Sequence, residues 1–497
     1  MLILALDQGT TNTKALVFNS AGRIVQSASA SCKTDYPQPG WAEQSADEIW
    51  STTQAVIAEA CAGIGGEIAA IGISNQRETL VVWDAETGSP VGPAPLWQCR
   101  RTASDCARLI EAGFSEEVSD LTGLGINPLF PASKLAWVIK SREKAAHLQS
   151  AGQLRAGTVD AWLLWNLTGG QSYATDHSNA SRTLLFDTQA LGWSRRLGEI
   201  FSVPVNRLPD PMPSDSRFGV TAKGATALPE GIPIHAMLGD SHAALYGHGV
   251  RGPGKVKATY GTGSSLMTLT GGRATSRNGL SGTIAWTARG KTAYALEGNI
   301  TVSAQAAAFM AEMMGLGGAG ALSDLAETVP DAGGVHFVPA LAGLGAPHWD
   351  DDARGLIQGL SLGTRPAHLA RATFEAIAHQ VADVLQAMEE DLGQPLAALS
   401  ADGGASANPF LMQLQSDLIG KPVERRAFAE IGAFGVAAMA ADAIGTAFEA
   451  DNETTEMFES QLGDEPRQTM RTGWLESVAR ASGQKKSADT THDRSQS

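Results

Sequence analysis

Short apolar runs alternate along the chain with longer segments whose apolar residues have helical spacing. Leu2–Leu6 is an apolar run that ends in a Gly-Thr turn, and Thr13–Phe18 has strand character, so this segment predicts a strand, a tight turn and a second strand. Ile49–Cys61 has the spacing of a helix, and Ile68–Ile73 predicts another strand. Because the two kinds of segment continue to alternate, the pattern predicts an α/β protein.

The pattern at the start of the chain recurs near its middle. The segments LALDQGTTNTKALVF, from Leu4, and KATYGTGSSLMTLT, from Lys257, each combine a strand, a Gly-Thr turn and a second strand. This self-similarity predicts two related halves, and the stretch GVRGPG at 249–254 predicts the boundary between them. We therefore expect an N-terminal domain at 1–249, a C-terminal domain at 250–480 and a polar, disordered tail at 481–497.

Composition excludes several classes of protein. The chain has 497 residues and a net charge of −15 without any basic run, which argues against a nucleic-acid or anionic-membrane partner. No stretch approaches the ~18–20 apolar residues of a membrane helix, and the first apolar run is too short for a signal peptide. The four cysteines (32, 61, 99 and 106) form no C-x-x-C pair, so we expect reduced thiols in a cytoplasmic protein.

The first turn, DQGTT from Asp7, has the residue types of a phosphate-binding loop. A glycine lets the main chain approach a ligand closely, and successive N–H groups together with the hydroxyls of Thr10 and Thr11 can donate to phosphate oxygens. Asp7 at the end of a strand suits a Mg²⁺ ion bound through water, and Lys14 is within reach of the phosphates. An ordinary hairpin turn with a surface aspartate remains the alternative at this point.

Two later loops strengthen this interpretation. GTGSS at 261–265 repeats the Gly-Thr turn, so that two such turns facing one cleft would grip the phosphates of one nucleotide. DGGASAN at 402–408 lies between a predicted strand and a predicted helix, where Gly403 and Gly404 permit close approach of a ring or a phosphate. A purely structural strand-to-helix turn is the alternative for this third loop.

Candidate residues for the chemistry lie at the ends of two predicted strands. Asp240 follows the strand Ile232–Leu238, a position where α/β proteins bind ligands, and it can accept the proton of an attacking hydroxyl. Arg77 and Glu78 follow the strand at 70–74 and suit vicinal hydroxyls, and Trp97 offers an apolar face. The alternatives are a helix N-cap for Asp240, a surface ion pair and a core tryptophan.

The order of these motifs identifies a resemblance. From Leu2 to about Ala479 the chain resembles the FGGY family of carbohydrate kinases, and within it the glycerol kinases. The stretches that carry the resemblance are ALDQGTT, YPQPGWAEQ, IGISNQRET, LWQCRRTA, GTVDAWLLW, NASRTLLF, ATYGTG, YALEG, PALAGLGAPHWDDDARG and DGGASANPFLMQ. The resemblance implies two ribonuclease-H-like domains, of the actin and hexokinase type, that close over a cleft. It also implies Mg-ATP as the donor of a phosphoryl group to a primary hydroxyl of a small polyol or sugar.

The resemblance also assigns roles to residues of this sequence. Asp240 matches the catalytic base, and Arg77, Glu78 and Trp97 match the residues that hold the acceptor. The positions that match nucleotide contacts are Thr10, Thr11, Asn12, Lys14, Thr262, Ala304, Ala308, Gly403, Gly404 and Asn408. Three of them depart from the family pattern: Lys14 stands where glycerol kinases often have arginine, and Ala304 and Ala308 stand where they have glycine and glutamine. Dimers are common in the family, so we expect a homodimer.

Three acceptor-side positions also depart from the pattern. Leu129, Ser241 and Ser265 stand where glycerol kinases have tyrosine, glutamine and phenylalanine. Smaller side chains enlarge the site, and the serines add hydroxyls for a further substrate OH. Glycerol and a four- or five-carbon polyol or ketose, such as erythritol, xylulose or ribulose, are therefore both open as acceptors. An actin-like nucleotide switch and an inactive sugar sensor are the non-enzymatic alternatives.

Overall fold

Two large β-sheets, one in each half of the chain, organise the molecule. The computed structural model of the protein describes residues 1–426, 428–446, 448 and 455–482. One sheet is built from strands that end at Gly239, and the other begins at Lys255. Helices pack against both sheets, so the predicted α/β class is confirmed.

The N-terminal sheet has six strands in the spatial order β5-β6-β4-β1-β2-β3. The strands are β1 (Leu2–Gln8), β2 (Asn12–Asn19), β3 (Ile24–Ser31), β4 (Ile68–Asn75), β5 (Gly219–Val220) and β6 (Pro233–Gly239). Strand β1 forms an antiparallel hairpin with β2 and runs parallel to β4, which runs parallel to β6. The carboxyl ends of β1, β4 and β6 therefore lie at the same edge of the sheet.

The C-terminal sheet has seven strands in the order β9-β10-β8-β7-β11-β12-β13. The strands are β7 (Lys255–Tyr260), β8 (Ser264–Thr270), β9 (Ser281–Ala288), β10 (Lys291–Ile300), β11 (Ala398–Asp402), β12 (Val423–Arg426) and β13 (Thr455–Phe458). Strand β7 is antiparallel to β8 and parallel to β11, which is parallel to β12. Both sheets thus place a hairpin beside two parallel strands, which accounts for the repeat in the sequence.

The remaining elements are helices and short paired strands. The helices are α1 (Ala46–Ala60), α2 (Ala103–Glu111), α3 (Ser115–Thr122), α4 (Pro131–Ser141), α5 (Glu143–Ala151), α6 (Val159–Leu167), α7 (His177–Ala180), α8 (Arg195–Phe201), α9 (Asp240–Gly247), α10 (Ala304–Met313), α11 (Ala319–Ala326), α12 (Pro366–Leu392), α13 (Pro409–Ile419), α14 (Ile431–Ala443) and α15 (Asp464–Ser482). The short strands are Glu43–Gln44, Val81–Asp84, Ala94–Pro95, Leu154–Gly157, Ala174–Asp176, Phe186–Asp187, Gly192–Trp193, Asp210–Met212, His336–Val338 and Leu356–Gln358.

The first strand is apolar from Leu2 to Leu6 because both faces of its sheet are covered there. Leu4 and Leu6 pack with residues of α1 and α6, whereas Ile3 and Ala5 pack with residues of α9 and α14. Helix α14 belongs to the C-terminal half of the sequence, so the two halves share this second cluster. Helices α9 and α14 approach closely at Gly435, where an added Cβ would lie 1.9 Å from a main-chain oxygen of α9. One turn earlier in α14, a Cβ at Gly432 would lie 3.7 Å from the Asp240 carbonyl oxygen, so the start of this helix lies near the end of β6.

The last helix changes one boundary. Helix α15 ends at Ser482, so the first two residues of the expected tail belong to the helix, and 483–497 lie outside the described residues. Within the described part of the chain, no helix combines the length and the apolar character needed to cross a bilayer.

Candidate active site

The shared edge of β1, β4 and β6 gathers the acidic candidates. Asp7 is near the end of β1, and Asp240 follows β6 as the first residue of α9, whose N-cap is Gly239 rather than Asp240. The Asp240 side chain is 44% exposed, so its carboxylate faces the open cleft. Burial raises the pKa of Asp7 to about 6, against a hydrogen bond from Ser74 and with a further contribution from the charge of Asp240. The edge therefore holds two carboxylates that influence each other.

Arg77 fixes the position of Asp240. Its Nε donates to Asp240 Oδ1 at 3.0 Å, a second nitrogen donates to Ser241 Oγ at 3.2 Å, and a third forms an ion pair with Glu297 Oε1 at 2.6 Å. Burial disfavours the charge of Arg77, but the carboxylates of Glu297, Glu78 and Asp240 together hold its pKa above the usual range. Arg77 is therefore permanently cationic beside Asp240.

A buried network of four charged residues supports this pair. We call Arg77, Glu78, Arg182 and Glu297 the charge network. Arg182 Nε donates to Glu78 Oε1 at 2.7 Å, and Arg182 also lies 2.8 Å from Glu297 Oε2. Burial opposes the charge of Glu297, but Arg182 and then Arg77 hold its pKa well below the usual range. Glu78 has a φ of 59°, a left-handed conformation that costs energy for a residue with a side chain and is typical of functional sites.

Arg182 and Glu297 were not among the residues singled out from the sequence. Each is a single charged residue within an otherwise apolar or small-residue stretch, NASRTLLF and YALEG. Charged side chains at core-facing positions are rare unless they are paired. A lone charged residue in an apolar stretch is therefore the sequence signal that could identify Arg182 and Glu297.

The two serines expected to serve the substrate make hydrogen bonds within the protein. Ser241 Oγ donates to Ser265 Oγ at 3.1 Å, and Ser265 Oγ donates to Glu297 Oε1 at 3.0 Å. Ser241 belongs to the N-terminal sheet's helix α9, and Ser265 to β8, so this chain of hydrogen bonds joins the two halves. Both hydroxyls are engaged with protein partners because the charge network supplies acceptors and donors within reach.

Trp97 contacts the first turn through its indole ring. Its ring is 37% exposed, and its indole N–H donates to Thr10 Oγ1 at 3.0 Å. Leu129 is half-buried and packs against the apolar cluster around α4, α5 and α8. Neither residue is a simple core side chain, and Trp97 is in direct contact with a phosphate-turn threonine.

The first turn presents free main-chain donors. Gly9 N–H closes the hairpin by donating to the carbonyl of Asn12 at 2.9 Å, and the Asn12 side chain accepts from a serine of β3. Within the described part of the chain, the N–H groups of Thr10 and Thr11 donate to no protein acceptor. Lys14 does not point freely at this turn, because it forms an ion pair of 2.7 Å with Glu430 at the start of α14.

The second turn is closed in the same way. Gly261 N–H donates to the carbonyl of Gly263 at 2.9 Å, which leaves Thr262 exposed at the tip. The carbonyl of Gly261 accepts from the N–H of Ala304 at 3.1 Å, so the first residue of α10 is attached to the turn. Ala308 lies one helical turn further along α10 and is exposed. The second turn and the start of α10 are therefore joined through the main chain.

The third loop depends on two glycines in different ways. Gly403 has a φ of 88°, and a Cβ there would lie 2.5 Å from the carbonyl oxygen of Tyr260, whereas a Cβ at Gly404 would meet nothing within 4 Å. Asn408 caps α13, since its Oδ1 accepts from Leu411 N–H at 3.1 Å. Its amide nitrogen donates to Ser323 Oγ at 2.8 Å. The Asn408 amide therefore already has protein partners.

The donor set fits a Mg²⁺ ion that is held mainly through a phosphorylated ligand. Asp7 is a half-buried carboxylate that accepts a 2.8 Å hydrogen bond from Ser74 Oγ, and a nearby cation would offset the loss of hydration that raises its pKa. Among the residues that the structure describes, no group of three or more His, Cys, Asp or Glu side chains could hold a metal ion alone. Mg²⁺ commonly takes one carboxylate together with water and phosphate oxygens.

Sequence comparisons agree with this geometry. Residues 2–247 match the N-terminal domain of the FGGY family of carbohydrate kinases, and residues 256–444 match its C-terminal domain. A glycerol kinase of Symbiobacterium thermophilum is 46% identical over 491 residues, which cover 97% of this chain and 98% of that protein. Glycerol kinase 2 of Thermotoga maritima is 43% identical over 494 residues, which cover 97% and 99%.

Structural comparisons give the same two-domain fold. A crystal structure of Plasmodium falciparum glycerol kinase with ADP superposes with a TM-score of 0.90 at 30% identity, covering 97% of this chain and 98% of that one. A ligand-bound xylulose kinase from Lactobacillus acidophilus has a TM-score of 0.87 at 21% identity, covering 97% and 99%, and shows the fold alone. The expected pair of ribonuclease-H-like domains is thereby confirmed.

Proposed function

The chain belongs to the FGGY family of carbohydrate kinases, and from this premise we propose that it transfers the γ-phosphate of ATP to a terminal hydroxyl of glycerol. The observation that carries the proposal is the Asp240 carboxylate, which opens to the cleft while Arg77 holds it at 3.0 Å. Asp7 and the free N–H groups of the Thr10 turn lie at the same end of the sheet.

Asp240 takes the proton of the attacking hydroxyl. Its Oδ1 accepts hydrogen bonds from Arg77 and from Ser241 N–H, at 3.0 and 2.6 Å, which orients the carboxylate and leaves its other oxygen for the substrate. Arg77 and Glu78 bind the remaining hydroxyls as donor and acceptor, and Trp97 covers the carbon chain. General base catalysis contributes about 10²–10⁴ in rate, with positioning and charge neutralisation adding the rest.

The nucleotide side is assigned to main-chain donors. Thr10, Thr11 and Thr262 bind phosphate oxygens through their N–H and hydroxyl groups, and Gly404 leaves open space for the adenosine. Mg-ATP, held near Asp7, supplies the phosphoryl group and neutralises the charge that develops on transfer. The ion pair between Lys14 and Glu430 links the two halves beside this site, and closure of the halves excludes water.

A longer acceptor is the second candidate. It is favoured by the small side chains of Ser241 and Ser265 where the two halves meet, together with Leu129 in place of a hydroxyl-bearing residue. Erythritol, xylitol, xylulose and ribulose are the compounds of this class to compare. A nucleotide switch or a sugar sensor requires no base opposite the phosphates, so the charge network and Asp240 weigh against both.

A coupled assay of ADP release over glycerol, erythritol, xylitol, xylulose and ribulose tests the proposal. We expect ADP release that depends on both ATP and acceptor, with the highest kcat/KM for glycerol. A highest kcat/KM for a four- or five-carbon compound would support the second candidate instead. ADP release that ignores every acceptor would support a nucleotide switch, and acceptor binding without ADP release would support a sensor.

We further propose a homodimer in the cytoplasm, with domains at 1–249 and 250–480. Sedimentation equilibrium tests the oligomeric state, and expression of the two segments as separate chains that reassociate tests the boundary.

A further inference from the structure

Lys134 is a buried lysine that contacts the main chain of the segments that carry Trp97 and Leu129. It is the fourth residue of α4, and none of its surface is exposed. Its ammonium donates to the carbonyl oxygens of Leu96 and Leu129, both at 2.7 Å, and to that of Trp97 at 3.4 Å. Three carbonyl acceptors match the three N–H donors of a lysine ammonium.

This placement is costly for the fold. Burial lowers the pKa of Lys134 to about 7, because the charged form loses its hydration. A positive charge in the first turn of a helix is also disfavoured by the helix dipole. Departures from the rules of folding are expected where function requires them, so the contacts of Lys134 call for a role.

The carbonyls that Lys134 binds belong to two separate segments. Leu96 and Trp97 follow the short strand Ala94–Pro95, and Leu129 precedes α4. Each segment carries a side chain that the proposed function assigns to the acceptor, Trp97 and Leu129. Trp97 in turn donates to Thr10 Oγ1 at 3.0 Å, which connects its segment to the first phosphate turn.

We propose that Lys134 is a positioning residue that clamps the Trp97 segment to the Leu129 segment and so sets the shape of the acceptor wall. The inference rests on the proposed function, because it assigns Trp97 and Leu129 to the acceptor. Lys134 acts through main-chain carbonyls and does not touch the substrate. Its loss should therefore weaken acceptor binding while leaving ATP binding intact.

The test compares Lys134→Met with Lys140→Met, which removes an exposed lysine from the same helix. In Lys134→Met we expect the KM for glycerol to rise about 10-fold, since buried carbonyls lose a charged donor, while the KM for ATP stays unchanged. Hydrogen exchange should become faster at 96–101 and 127–130 in the free protein. Lys140→Met should match the wild type in all three measurements.

Lys134→Gln provides a milder variant should Lys134→Met not fold. It keeps two N–H donors, so we expect a smaller rise in the glycerol KM in the same direction. Unchanged exchange in both segments would overturn the clamp, as would faster exchange with an unchanged glycerol KM, or equal rises in the KM values for glycerol and ATP. A wild-type protein that phosphorylates no polyol would instead contradict the proposed function. The hydrogen-exchange comparison would then still test whether Lys134 holds the Trp97 and Leu129 segments together.

Discussion

The proposed acceptor side and the proposed nucleotide side of the cleft are built from different kinds of chemical group. On the acceptor side, charged side chains are buried and each has several partners, as Arg77 has in Asp240, Ser241 and Glu297. On the nucleotide side, the predicted contacts are main-chain turns and small residues, with Thr262 and Ala308 exposed. Charged side chains therefore determine the geometry of the proposed acceptor side, and the path of the main chain determines that of the proposed nucleotide side.

This difference determines how each side responds to substitution. Removal of one member of a buried ion pair leaves the other charge without compensation, which costs far more than the pair itself contributes. A backbone site tolerates most side chains but not a changed path or a filled space. We therefore expect substitutions on the acceptor side to act mainly by leaving buried charges unpaired. Substitutions on the nucleotide side should act mainly by changing the path of the main chain or by filling space.

The largest effect is expected at the centre of the charge network. Arg182→Met leaves Glu78 and Glu297 with fewer positive partners, and we expect a loss of about 3–5 kcal/mol in the free energy of unfolding. Arg196→Met removes the partner of Glu117 at a surface where Arg196 is 49% exposed, so we expect a much smaller loss. Urea unfolding of both variants measures the difference, and equal losses would show that the network contributes no special stability.

Two adjacent glycines on the nucleotide side test two different requirements, the main-chain conformation at Gly403 and the open space beside Gly404. Gly403→Ala forces a strained φ and a contact of 2.5 Å with the Tyr260 carbonyl, so we expect a lower thermal midpoint. Gly404→Ala meets no protein atom within 4 Å, so its thermal midpoint should stay unchanged while the KM for ATP rises. An unchanged KM for ATP in Gly404→Ala would mean that the nucleotide does not occupy this space.

Two buried glutamates should respond differently to pH. Burial raises the pKa of Glu375 to about 7 despite its one partner, Arg371, whereas two arginines hold the pKa of Glu297 below its usual range. The stability that Glu375 contributes is complete below pH 4.5 and is lost as the pH rises through about 7. The stability that Glu297 contributes is present above the pKa that this residue has in the unfolded chain. It is lost only as the pH falls below that value.

The measurement is urea unfolding of Glu297→Gln and Glu375→Gln against the wild type between pH 5 and 8. We expect a constant penalty for Glu297→Gln and a penalty for Glu375→Gln that shrinks with rising pH. A penalty for Glu297→Gln that changes steeply across this range would show that two arginines do not keep that carboxylate ionised.

The smallest effect is expected from the serine pair. Ser265→Ala removes the hydroxyl between Ser241 and Glu297, and we expect a rise of about 5-fold in the acceptor KM from the loss of one buried hydrogen bond. Ser264→Ala is the control, because its hydroxyl donates to Ser303 at 2.7 Å instead. Equal KM values in the two variants would remove Ser265 from the acceptor side.

Much of the fold was readable because its signals are local. The hairpin of β1 and β2 and the acid after β6 each depend on neighbouring residues, and the structure places them as predicted. Asn408 before Pro409 is also a local pattern, that of a helix cap, and the structure shows the cap. The Asn408-Pro409 pattern predicts a helix cap, whereas the resemblance assigns Asn408 to the nucleotide. The sequence alone does not decide between these two roles.

The parts of the site that the sequence did not reveal depend on distant partners. Arg182 and Glu297 are separated by more than a hundred residues, and Lys14 meets Glu430 in the other half of the chain. The hydrogen bond between Ser241 and Ser265 is a third example, because it joins two hydroxyls that lie in different halves of the chain. Periodicity and turn composition carry no information about which charged residues meet across a cleft.

Turnover of Asp240→Asn, measured together with calorimetric binding of ADP, tests the central claim most directly. The substitution keeps the size of the side chain and removes its ability to take a proton. We expect ADP binding close to that of the wild type and a kcat at least about 100-fold lower. Near-normal turnover would contradict the account, because Asp240 would then have no part in removing the proton from the acceptor.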